Sequence, residues 1–230
     1  MGSQYSPRII TDGLVLCLDA ANNKSYPGSG TVWTDLSNSG NNGTLVNGPT
    51  FSSANGGGIV FDNVDDYVNC GNNSSVNFIN NFTLGIWFNA QSYGENGFGR
   101  LFDKSSGTSN GFALLVDNIN QPNGLQFNIN NNIGVLFSPA NSISLNRYFY
   151  VTLVVRSNQA FMYRNGDLIN SSATFSSPIN TSSVNLLIGN RLATDRTFNG
   201  VIGVVQAYSK ALTPEEILQN YNATKGRFGL

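Results

Sequence analysis

Apolar and polar residues alternate most cleanly over Phe82–Asn89, where Phe82, Leu84, Ile86 and Phe88 share one face and Thr83, Gly85, Trp87 and Asn89 the other. A period of two predicts a β-strand and argues against a helix. Tyr148–Arg156 is the longest β-type run; Val154 breaks its alternation, so both of its faces are expected to be covered. Shorter runs at Leu14–Leu18, Thr44–Val46, Ile59–Phe61, Tyr67–Val68, Arg100–Asp103, Gly111–Asp117, Leu125–Ile129, Ile133–Phe137, Ala160–Arg164, Val184–Ile188 and Val201–Tyr208 are each bounded by Asn, Gly or Pro. Asn165-Gly166 between two such runs accepts positive φ at both turn positions and predicts a tight hairpin. About a dozen short strands with turn residues between them give an all-β chain folded as a two-sheet antiparallel sandwich.

One helix is predicted over 213–224. Thr213 caps it, Pro214 suits its first position, and Glu216 completes a capping box, while Ile217, Leu218 and Tyr221 form its apolar stripe. Residues 1–12 read as an N-terminal arm and 225–230 as a short exposed tail. No composition shift marks a linker, so 1–230 reads as a single domain.

Charge narrows the function classes. Lys and Arg number 12 against 13 Asp and Glu in 230 residues, a net charge of −1, and only 11% of positions are charged. That balance offers no electrostatic grip on nucleic acid or an anionic membrane. No apolar run approaches the ~20 residues of a membrane span. With no histidine, and with only the distant Cys17 and Cys70, the usual zinc sets and a Ser-His-Asp triad cannot be built. The two cysteines read as small buried thiols; a disulfide would require their strands to lie side by side.

Three candidate chemistries remain. The turn in Gly56–Cys70 gathers Asp62, Asp65 and Asp66, whose oxygens suit a hard cation such as calcium and equally suit Asx-type turn bonds. Tyr26, Trp33, Tyr93 and Phe98 lie in or beside loops, where aromatic rings can stack on sugars; Trp33 suits a core position as well. Glycoside hydrolysis needs two carboxylates flanking one bond. Of the three glutamates, Glu215 and Glu216 belong to the helix start, which leaves Glu95 alone and Asp62 with Asp66 as the remaining pair.

Four motifs, in order along the chain, resemble the laminin G-like branch of the concanavalin A-like lectin/glucanase superfamily. They are Trp33-Thr34-Asp35-Leu36-Ser37 with Asn41-Asn42-Gly43-Thr44-Leu45; Phe61-Asp62-Asn63-Val64-Asp65-Asp66-Tyr67-Val68; Phe82-Thr83-Leu84 with Trp87; and Phe198-Asn199-Gly200-Val201-Ile202 through Ala207–Thr213. The resemblance implies a jelly-roll sandwich, with a structural calcium near the acidic turn assisted by an acid in the later strand. Here that strand reads Val201-Ile202-Gly203-Val204-Val205, without the acid. The Glu-x-Asp-x-x-Glu strand of the glucanases is absent too. The start Asp12–Leu16 with Leu18–Asn22, and the ending Tyr221–Phe228, resemble laminin G-like proteins of tailed bacteriophages. That resemblance implies a non-enzymatic virion structural protein, decorating the capsid or forming a head or tail fibre module, with virion proteins and copies of itself (a trimer, for example) as partners and host-surface glycans as a further contact. A free carbohydrate-binding lectin is the alternative and a glycoside hydrolase the third reading. No cofactor is expected: turn bonds are the preferred reading of Asp62, Asp65 and Asp66, with a structural calcium as the other.

Overall fold

The computed structural model describes residues 7–106, 110–130 and 132–230, so residues 1–6 of the expected N-terminal arm lie outside the described residues. In chain order the elements are β1 (Leu14–Asp19), β2 (Val32–Trp33), β3 (Gly43–Val46), β4 (Thr50–Ser52), β5 (Gly58–Asp62), β6 (Tyr67–Asn69), β7 (Phe82–Ala90), β8 (Arg100–Asp103), β9 (Phe112–Asp117), β10 (Gly124–Ile129), β11 (Asn132–Phe137), β12 (Tyr148–Arg156), β13 (Gln159–Arg164), β14 (Asp167–Ser171), β15 (Leu187–Ile188), β16 (Asn199–Tyr208) and α1 (Pro214–Thr224). The first sheet runs β14-β13-β12-β7-β16-β5-β4, with β1 also on β16; the second runs β11-β10-β9-β8-β15-β6-β3-β2. The pairings are antiparallel, so the fold is the expected jelly-roll sandwich with one short C-terminal helix.

Between the sheets lies the main core. Phe82, Leu84, Ile86 and Phe88 of β7 face Leu114, Val116, Leu125 and Phe127 of β9 and β10, all of them buried. Alternation in β7 thus marks which side meets the other sheet. The opposite side of β7 is buried as well: Trp87 stacks between Tyr150 (ring centroids 5.3 Å) and Phe228 (4.2 Å), with Tyr221 of α1 at 5.8 Å. Val154, Tyr163 and Tyr208 pack beside them against Leu212 and Ile217. The expectation for β12 therefore holds, because the C-terminal segment covers the outer face of the first sheet.

The helix begins as its sequence dictates. Thr213 accepts from the Glu216 N–H while Glu216 Oε2 accepts from the Thr213 N–H. The expectation of an exposed tail is corrected. Lys225–Phe228 forms a 3-10 turn in which Phe228 is buried and Arg227 donates to Asp19 Oδ1 (2.6 Å), Gly57 O and Gly203 O. Trp87, on an outward position of β7, needed an apolar lid, and this turn is that lid. The strand expected at Val184–Ile188 is also shorter, with only Leu187–Ile188 paired. β13 and β14 form the Asn165-Gly166 hairpin, with φ of 54° and 91° at the turn.

Among the described residues, twelve of the fourteen non-glycine residues with positive φ are asparagines. Asn is the side chain that best tolerates the left-handed region, so this fold's turns are made largely of Asn. Asp35 of the Trp33 motif ties a corner from inside: Oδ1 accepts from the Cys17 and Ser37 N–H groups, Oδ2 from Ser37 Oγ and the Asn41 N–H. Cys17 and Cys70 are free and buried, and burial pushes both thiols up to about 12. No helix among the described residues is long and apolar enough to cross a membrane.

Candidate functional site: a pocket on the outer face of the second sheet

The C-terminal segment covers the outer face of the first sheet; loops wall the outer face of the second and leave a pocket over strands whose side chains are largely buried. Register decides which side chains stand on it. Arg100 of β8 pairs with Leu115 of β9, which pairs with Gln126 of β10; one row along, Asp103 pairs with Ala113 and Ala113 with Asn128. Residues in register share a face, so these six project away from the core. The loops 91–99 and 189–198 rise beside them, their ends joined where Glu95 N–H donates to Thr197 O and Arg100 N–H to Arg196 O.

The result is a pocket of about 200 Å3, with Ala113 and Leu115 among the lining strand residues, Phe98, Arg191 and Arg196 from the loops, and Ser105, Asn120, Gln126 and Asn128 as neutral polar groups. Gln126 is oriented by its neighbours: its amide nitrogen faces Asp117 Oδ2 at 2.8 Å and its oxygen faces the Gly134 N–H at 3.0 Å. Arg100 is 7% exposed and donates through Nε to Asp103 Oδ2 at 2.9 Å. Burial pulls the guanidinium down against that attraction, and Arg191 and Arg196 lower it further; burial likewise pushes Asp103 up. Arg191 makes a two-pronged pair with Asp195, whose carboxyl it holds below the usual range. The Arg196 guanidinium lies 5.7 Å from the centre of the Phe98 ring. Apolar floor, amides and guanidinium forks together suit a small hydroxylated ligand.

Of the four aromatic residues expected to meet sugars, Phe98 lines this pocket. Tyr93, in the same loop, is half-buried and its hydroxyl bonds Asn123 Oδ1. The other two are corrected. Trp33 is fully buried in the main core, and Tyr26 is buried against Phe51 with its hydroxyl donating to Gly30 O at 2.7 Å. Neither presents a ring face to solvent, because the polar loop around them folds back over the sandwich. The sequence reading missed Arg100, Asn128, Arg191 and Arg196, which come from three separate stretches of the chain that the sheet order brings together.

Asp62, Asp65 and Asp66 do come together, with one carboxylate oxygen from each within 4.8 Å of the others. Turn bonds use some of these oxygens: Asp62 Oδ1 accepts from the Val64 N–H at 2.8 Å and Asp66 Oδ2 from the Asp62 N–H at 3.0 Å. Asp66 Oδ1 and Asn63 Oδ1 are buried without a partner. Burial, then Asp62, pushes the Asp66 carboxyl up to about 6. The later strand carries no acid, and at its Gly203 a Cβ would lie 2.9 Å from the Phe228 ring. The turn is latched to the pocket's loop: Thr197 Oγ1 donates to Val64 O at 3.0 Å and accepts from Asn190 Nδ2 at 2.7 Å.

The concanavalin A-like lectin/glucanases superfamily model (laminin G type) matches residues 61–218. No curated protein matches the sequence. Among solved structures, the chain is similar to the binding domain of Paraclostridial mosquitocidal protein 1 (TM-score 0.71, 18% identity, 93% of this chain and 52% of that one). It is similar to domain 4 of AbnA, a GH43 extracellular arabinanase from Geobacillus stearothermophilus, in complex with arabinotriose (0.67, 15%, 90% and 98%). A third likeness is the botulinum neurotoxin serotype D ligand binding domain in complex with N-acetylneuraminic acid (0.69, 14%, 92% and 51%). The chain thus spans about half of the toxin domains and nearly all of the arabinanase domain. At these identities the likeness is one of fold.

Proposed function

This chain belongs to the concanavalin A-like lectin/glucanase superfamily, and we propose that it is a non-enzymatic glycan-binding module whose ligand sits in the pocket on the outer face of the second sheet. The pocket itself carries the reading: an apolar floor beside Phe98, ringed by Asn120, Gln126, Asn128 and guanidinium groups, none of whose lining residues is Asp or Glu. Retaining and inverting glycosidases need two carboxylates at the bond they cut, which this lining does not supply. Sugars bound to domains of similar fold, arabinotriose and N-acetylneuraminic acid, are in keeping with it. A glycan array followed by calorimetry tests the reading. Binding that falls at least tenfold in Asn128→Ala and Phe98→Ala is expected. Silence across the array, or affinity untouched by both substitutions, sinks it.

The setting we propose is the surface of a bacteriophage particle, as a capsid-decorating or fibre protein that assembles with virion proteins and with copies of itself. Support comes from the two end motifs, which the fold knits together: Lys210 pairs with both Asp12 and Glu216, and Arg227 with Asp19. The chain should co-sediment with purified particles through a gradient; its absence from them removes this setting.

We also propose a structural calcium at the corner turn. Asp62, Asp65 and Asp66 fit a hard divalent cation, because Asp66 Oδ1 is buried, ionisable and unpartnered. A bound calcium would supply charge neutralisation and rigidity there, not chemistry. Calcium should raise the melting temperature over EDTA in the wild type and not in Asp66→Asn; equal midpoints in calcium and EDTA rule the site out.

A further inference from the structure

We infer that the pocket selects acidic saccharides, seating an oxyanion of the sugar, a carboxylate or a sulfate, against Arg100, Arg191 and Arg196. This inference rests on the glycan-binding reading and adds a ligand class to it.

Three observations carry it. First, three of the chain's twelve basic residues line one pocket that no acidic residue lines. In a chain only 11% charged, that is a concentrated demand for negative charge. Second, each guanidinium is fixed by its protein partners and keeps donors to spare. Arg100 uses Nε on Asp103 and Nη1 on Phe98 O, leaving Nη2. Arg191 uses Nε and Nη2 on Asp195, leaving Nη1. Arg196 uses Nη1 on Asp195 O, leaving Nε and Nη2, an edge with the fork geometry that matches a carboxylate. Third, the guanidinium groups are close enough that Arg191 and Arg196 each disfavour the charge on Arg100; an anion among them relieves that repulsion.

The acids nearby do not fill this role. Asp103 pairs with Arg100, Asp195 pairs with Arg191 and lies 3.6 Å from Arg196, Asp117 accepts from the Ile119 and Asn120 N–H groups and faces the Gln126 amide, and Glu95, which Arg191 also senses, accepts from the Thr197 N–H. Amides of Asn120 and Asn128 remain for neutral hydroxyls, so the site combines one anion seat with sugar-type contacts. A volume of about 200 Å3 suits one or two sugar rings and not a polyanionic chain, and a net charge of −1 gives long polyanions no wider surface to follow.

The test uses the full chain and paired probes: disaccharides carrying glucuronate, galacturonate or N-acetylneuraminate, the carboxyl-reduced neutral twin of each, and a sulfated neutral disaccharide. Arg196 is the residue to change, since it is partly exposed and its removal breaks no buried pair; circular dichroism and the melting temperature check that Arg196→Gln folds. The wild type should bind at least one acidic probe about tenfold or more tightly than its neutral twin, with a gap that shrinks as salt rises. Arg196→Gln should weaken the acidic probe more than its neutral twin and so close the gap, and Arg196→Lys should restore part of it. Preference for the sulfated probe with the same dependence on Arg196 would identify sulfate as the oxyanion. Equal affinity for acidic and neutral twins, or a gap that survives Arg196→Gln, overturns the inference and leaves glycan binding standing. Silence with every probe overturns both.

Discussion

Replacing Phe228 by Ala is the sharpest test of how the C-terminal turn is held. Phe228 is 6% exposed, stacks on Trp87 at 4.2 Å and lies 4.8 Å from Tyr148. Truncating a buried Phe to Ala costs ~3–5 kcal/mol, with stacked pairs adding ~0.5–1.5 kcal/mol each beyond area. The turn sits at the outside of the fold and can partly collapse, which places the expected loss toward the lower end, about 3 kcal/mol. For a chain of this size that corresponds to a drop of roughly 6–12 °C in melting temperature. Urea unfolding, followed by tryptophan emission and far-UV circular dichroism, measures it. Both tryptophans are buried. A red shift that persists in the Trp33→Phe background would therefore report Trp87 gaining water. Phe228→Leu should recover about half of the loss. A loss below about 1 kcal/mol, with Trp87 emission unchanged, would refute the claim that this residue is the lid of the first sheet.

Asp35→Ala should cost at least about 3 kcal/mol, because it strands two N–H groups that are buried or nearly so while removing four accepted hydrogen bonds; denaturant titration would show it, and a loss under 1 kcal/mol would contradict the corner-tie role. Asp66 gives a pH signature. Its folded carboxyl is raised from 3.8 to about 6, so the folded state holds the proton more tightly. The associated stability is present below about pH 4 and lost as pH rises through 6, a change of ~2–3 kcal/mol at 1.36 kcal/mol per unit. Comparing Asp66→Asn with wild type in EDTA at pH 4 and 7 isolates it; parallel curves would refute it. Added calcium should offset the loss at pH 7.

Much of the architecture is legible locally. Phe82–Asn89, the Asn165-Gly166 turn and the Thr213 capping box each contain their own instructions within a few residues, and each appears as read. What was not legible depends on partners far along the chain. Phe228 looks like an exposed tail until Trp87, 141 positions earlier, is found beneath it. Strands as short as β2 and β4 exist only because a neighbour offers hydrogen bonds, so no periodicity announces them. Tyr26 and Trp33 sit beside polar loop residues, yet polarity of neighbours says nothing about where a ring points. The pocket was hidden for the same reason, since Arg100, Asn128 and Arg191 become neighbours through sheet order. The acidic turn was visible because its three carboxylates are adjacent in sequence.

The asparagine-built turns have a consequence on the other side of the folding equilibrium. A glycine at any of these twelve left-handed positions would fit the native backbone with less strain, but at Asn47, Asn81, Asn123, Asn130 and Asn165 it would also remove a side-chain hydrogen bond to another part of the fold. It would also widen the range of conformations open to the unfolded chain, an entropic cost that opposes the relief of left-handed backbone strain. The asparagines therefore act on both sides of the equilibrium, narrowing the unfolded chain while their amides tie turns to backbone far along the folded one.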